Sequence, residues 1–191
     1  MTKTLLSGPA VEPVPLADAK AHLRLDTTDE DAVVGAMIGA ARVAVETDIR
    51  QVLIAQQWRV SDTAWPADRR IALPVLPVIS VDAVRALDGA NNPTILPAPD
   101  YSLDQETAIL TIEAGAAALA PSVSAGGYEI DFTAGFGATN LDVPHALRQA
   151  ILMLVTHWFE NRSAVTVNDA PVATPEGVHA LLAPWRRMSL C

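Results

Sequence analysis

Cysteine is nearly absent from this sequence; its one example is Cys191. No disulfide can form within the chain, which fits a reducing compartment such as the cytoplasm. Long apolar runs are missing too. None approaches the roughly 18–20 residues needed to span a bilayer. The stretch from Met1 to Pro15 has no apolar core of a signal peptide, so neither a membrane span nor a secretory leader is expected. The third shortage is positive charge. Between Arg85 and Arg148 there is no Lys or Arg, while the same stretch holds eight acids: Asp88, Asp100, Asp104, Glu106, Glu113, Glu129, Asp131 and Asp142. They account for most of the formal net charge of −9. Affinity for DNA comes largely from Lys and Arg, so this segment is unsuited to gripping phosphates. Its simplest roles are a soluble surface, or a surface that must not stick to a nearby polyanion.

Signatures of catalysis are scarce. There is no Gly-x-Ser-x-Gly elbow. Gly126-Gly127 and Gly135-Phe136-Gly137 lack the Lys-Ser/Thr of a phosphate loop. The acids Asp26, Asp29, Glu30 and Asp31 do not have calcium-loop spacing and read as charges at a helix N-terminus. Of the four histidines, only His157 has a suggestive neighbour, Glu160 at i+3. A metal-dependent enzyme using His145, His157 and Glu160 is the out-of-class alternative; a plain surface pair is the simpler reading. A helix-turn-helix over the first two helices is disfavoured, because three acids open the second helix where DNA would lie. No catalytic residue, metal or cofactor is expected.

The 191 residues suit one domain, 1–191. Half of them are hydrophobic, but 33 are Ala, which adds little burial and favours helix. Leu16, Ala19 and Leu23 recur at helical spacing after Pro15. Thr27 with Glu30 has the pattern of a capping box, and Val34, Ile38, Ala41, Val45 and Ile49 form the apolar stripe of a long second helix. From Val52 the period changes to two. Strands are expected around Val52–Val60, Arg70–Leu73, Val78–Leu87, Tyr101–Leu103 with Ile109–Ile112, and Tyr128–Phe132. Asp88 to Pro93 is turn chemistry. Helix returns near Asp142 as N-cap, with Leu147, Ile151, Leu154, Val155 and Trp158 on one face to about Arg162. Ser163 to Thr174 reads as a linker, and Thr174-Pro175-Glu176 opens a last helix carrying Leu181, Leu182 and Trp185.

The fold class expected is α+β. A helical bundle, from 15–50 and 142–162, would carry a β-rich insertion at 51–141, and 163–191 would be a linker with a C-terminal docking helix. The tail, with Trp185 and Arg186-Arg187 past the linker, either packs on its own domain or is a docking arm for a neighbouring subunit or another protein. A small binding module whose acidic β region engages a basic partner is a further reading.

The segments Pro15 to Leu25, Ile71 to Val78, Thr133 to Gly137, Val143 to Leu147, His157 to Arg162 and Leu181 to Arg186 together resemble phage head–tail connector (adaptor) proteins, in order and over nearly the whole chain. Prophages and gene transfer agents carry the same kind of module. The resemblance implies a structural ring, commonly of twelve copies, docked under a portal protein as a platform for the next tail component, with DNA in transit through its centre. A stopper or tail-completion protein is the alternative within this class, and such a protein is also the expected lower partner. Assembly would occur in the cytoplasm, before incorporation into a particle neck. Val178, Leu181, Leu182, Trp185, Arg186, Arg187 and Met188 would contact the portal. Asp88, Asp100, Asp104, Glu106, Glu113, Glu129 and Asp131 are candidates for an acidic channel surface that lets DNA slide.

Overall fold

A computed structural model describes residues 1–116, 126–161 and 175–187. The chain begins with a strand, β1 (Thr2–Ser7), where the sequence had suggested no regular element. Every side chain of β1 is exposed, so no buried periodicity marks it. Main-chain pairing holds it instead: β1 runs antiparallel to β2 (Gln56–Asp62), from Thr2 opposite Ser61 to Leu5 opposite Trp58. The expected helical bundle with an inserted β region is therefore wrong. The described residues are sheet-rich, with eight strands in two sheets against four helices, and strand precedes the first helix as well as following the second.

The chain divides into two compact units. The sheet unit comprises Met1–Ala10 and Ala55–Phe136. Its larger sheet has the order β1-β2-β8-β4-β5, with β4 (Val78–Leu87), β5 (Pro93–Ile95) and β8 (Gly127–Ala134), all neighbours antiparallel. The smaller sheet is β3-β7-β6, from β3 (Arg70–Ala72), β6 (Tyr101–Asp104) and β7 (Ile109–Ile112). β6 and β7 form the expected hairpin. Alternation along β8 decides what is buried: Tyr128, Ile130, Phe132 and Ala134 lie in the core with Val60, Val84 and Ala86, while Glu129, Asp131 and Thr133 face the other way. Leu110, Ile112 and Ile71 add the buried side of the smaller sheet. At the start of β8, Gly127 has φ +95, and a Cβ there would come within 1.9 Å of the Asp62 carbonyl oxygen. The glycine pair is a requirement of close strand approach.

The helical unit comprises Val11–Ile54 and the described part of Gly137–Cys191. Helix α1 (Leu16–Leu23) stops at Arg24, whose φ of 58 is left-handed. Helix α2 (Asp31–Ile49) buries Val34, Ile38, Ala41, Val45 and Ile49, the stripe read from the sequence. Glu30, not Thr27, stands at the N-cap of α2. The helix's first residue, Asp31, pairs with Lys20 of α1 at 2.5 Å. Helix α3 (His145–Glu160) buries Leu147, Ala150, Ile151, Leu154 and Val155. Asp142 is not its N-cap. It forms a reciprocal capping box with Thr139 around a short 3-10 turn, and Pro144 precedes α3. Helix α4 (Glu176–Leu182) packs on α3, followed by a 3-10 turn through Trp185. The expected linker lies wholly outside the described residues, as does the expected helix end at Arg162.

Candidate interaction surfaces

The polar side of the larger sheet carries a charge network. Arg59 of β2 stands directly opposite Asp131 of β8, and its guanidinium donates to both carboxylate oxygens, at 2.6 and 2.8 Å. Arg85 of β4 reaches the same carboxylate from the other side at 2.7 Å. Glu129 lies 3.4 Å from Arg59. Asp131 is thus gripped by two cations in a half-sheltered setting, where charge-assisted bonds are stronger than in open water. Hydrogen bonding from Arg59 holds its pKa below the ordinary aspartate value, Arg85 adds to this, and burial opposes it. Both arginines flank the base-free segment in sequence or lie well before it. Strand pairing brings them back to its acids.

Two more of the seven candidate acids are committed to turns. Asp88 accepts from the amides of Ala90 and Asn92 and from the Asn92 side chain, which lowers its pKa. Asp104 accepts from the amides of Glu106 and Thr107 and from the Thr107 hydroxyl, with the same effect. Glu106 and Glu113 are exposed, and Asp100 is half-buried. The structure therefore spreads the seven over an ion-pair network, two turns and open surface.

The C-terminal candidates also divide. Val178 and Leu182 are 1% and 2% exposed and belong to the core of the helical unit. Leu181 and Trp185 are half-buried; Arg186 and Arg187 are exposed. Arg186 grips Asp48 of α2 through both ends of its guanidinium, at 2.8 to 3.1 Å, and touches Nδ1 of His179 at 3.2 Å. The Gln51 amide donates to the Trp185 carbonyl at 2.6 Å, and the Arg187 N–H donates to the Ile49 carbonyl at 3.3 Å. Met188 lies outside the described residues. Asp48 and Gln51 are contacts that no local pattern announced, because they depend on a fold-back across more than 130 residues.

His145 contacts Arg148, and His157 contacts Asn161. Among the described residues no three His, Cys, Asp or Glu side chains are grouped so as to hold a metal ion. No described helix is long and apolar enough to cross a membrane.

The comparisons with known proteins point one way. The chain is similar over its full length to a chain in the neck of an empty gene transfer agent particle computed with C6 symmetry, at 33% identity, with 98% of that chain covered and a TM-score of 0.79. It is similar to a chain of the native gene transfer agent virion at 34% identity, with 98% of that chain covered and a TM-score of 0.78. It is also similar to a chain in the native particle neck computed with C12 symmetry, at 30% identity, 98% coverage of that chain and a TM-score of 0.77. No curated protein matches. The family model described as head completion protein matches residues 14–187, and the chain therefore belongs to the head completion protein family, structural proteins of the head–tail neck.

Proposed function

We propose that this chain is the repeating subunit of a ring, of twelve copies, at the neck of a phage-like particle, between the portal and the next tail component. The observation that carries the reading is full-length similarity, at 30–34% identity, to chains of gene transfer agent necks and virions, two of them computed with C6 or C12 symmetry. A head-to-tail contact that closes by rotation gives such a ring. DNA passes through the centre without specific binding. The net charge of −9 suits such passage, because a wall rich in Lys and Arg would retain phosphates. Asp100 and Glu113 add to this repulsion, whereas Asp131 and Glu129 face Arg59 and Arg85.

In this reading the C-terminal region meets the portal. Val178 and Leu182 hold α4 to the helical unit, and Leu181, Trp185 and Arg187 form the contacting side. The test is native mass spectrometry and negative-stain imaging of the chain with and without the cognate portal protein. Closed rings, alone or on the portal, are the expected result. A chain that stays monomeric and ignores the portal overturns the reading.

A further inference from the structure

Helix α2 is apolar on two sides. Its inner stripe is buried, as described above. Its outer side presents Val33, Ala36, Ala40, Val43 and Ala44 at spacings of three and four, all exposed to solvent. Val33 is 39% exposed and Val43 is 52% exposed, both high for large aliphatic side chains on a helix that already has a buried face. A helix that is apolar all round is normally buried all round.

The charges on α2 sharpen the point. The helix has four charged residues, and each has a partner inside the helical unit: Asp31 with Lys20, Arg42 with Glu12 and Glu46, and Asp48 with Arg186. Glu46 also accepts the Leu53 N–H. Pairing draws these charges toward α1, toward the 11–15 segment and toward the C-terminal turn. The outer side is left without a charge from Ala32 to Ala44 apart from the engaged Arg42. Small side chains here would let another element approach within the 8–10 Å typical of packed helices.

We infer that the outer face of α2 is the surface on which a second copy of this chain packs when the ring closes. The inference rests on the ring reading above, which requires each subunit to offer an interface to the next. Contacts between permanent subunits are more apolar than transient ones and are poor in charge at their centre, as this face is.

The experiment uses the full chain and three forms: wild type, Val43→Asp, and Val43→Cys in a Cys191→Ser background carrying a benzophenone maleimide. Wild type is expected to form rings, alone or on the portal. Val43→Asp is expected to melt as the wild-type monomer does and to form none. Illumination of the labelled ring is expected to give an adduct of two copies of the 20.2 kDa chain. Rings of Val43→Asp equal to wild type overturn this inference and leave the ring reading standing. So does an adduct only to the portal or another protein. A large fall in the melting temperature of monomeric Val43→Asp overturns it as well, since the chain itself would then cover the face. Failure of the wild type to form rings under any condition overturns the ring reading, and this inference with it.

Discussion

Asp131 shows most plainly what a single side chain does here. Two guanidiniums converge on one carboxylate across three adjacent strands. Replacing it by Asn keeps the shape and removes the charge, leaving Arg59 and Arg85 close together with a weak acceptor between them. The expected loss is about 1–2 kcal/mol at neutral pH, because the arginines are partly solvated and recover some hydration. The pH dependence follows from the sign of the shift. The folded-state pKa of Asp131 is depressed, so its contribution is fully present above the unfolded value of about 3.9 and is lost as pH falls through the lower folded value. The stability gap between wild type and Asp131→Asn should therefore narrow in acid, which urea unfolding at neutral and acidic pH would measure. A constant gap would mean that the pair contributes through shape alone. Glu46 acts in the opposite sense. Burial raises its pKa, so protonation in mild acid favours the folded state.

At the scale of elements, α4 is the informative case. Read from the sequence, it is either a helix packed on its own domain or a docking arm past a linker; in the fold its Val178 and Leu182 are core residues. Leu182→Ala should cost about 2–4 kcal/mol and loosen the helical unit, while Arg186→Ala should cost at most about 1 kcal/mol, since its pair with Asp48 is exposed. Hydrogen exchange of the α4 and α3 amides would separate the two, with fast exchange expected only in Leu182→Ala. What the sequence revealed follows the same physics. The α2 stripe and the β6–β7 hairpin were legible because burial imposes a period on them. β1 and β5 were not. β1 is exposed on every residue and β5 is three exposed residues beginning with proline, so neither has a buried face to write into the pattern. The ion-pair setting of Asp131 was hidden for a related reason. A segment free of Lys and Arg looks unopposed along the chain, yet sheet neighbours come from elsewhere, and Arg59 and Arg85 stand beside Asp131.

On the scale of the whole molecule, the net charge of −9 suits the proposed role of a conduit that DNA passes and does not grip. The purified chain should give no measurable retention of duplex DNA at physiological salt, by fluorescence anisotropy, and binding that weakens steeply with added salt would show a basic track instead. The strand order has one more consequence, for the time at which the subunit exists at all. β2 sits between β1 and β8, and β8 joins it to β4. Residues 2–7 and 56–62 are synthesised early, but their sheet has no centre until residue 134 of 191 is made. Contacts so distant in sequence make folding slow, on the millisecond-to-second scale typical of non-local β topologies. On the ribosome, the growing chain keeps a bare strand edge and an uncovered apolar helix through most of its synthesis, so the vulnerable period for this protein is its birth, and chaperone demand should peak before the last third of the chain emerges.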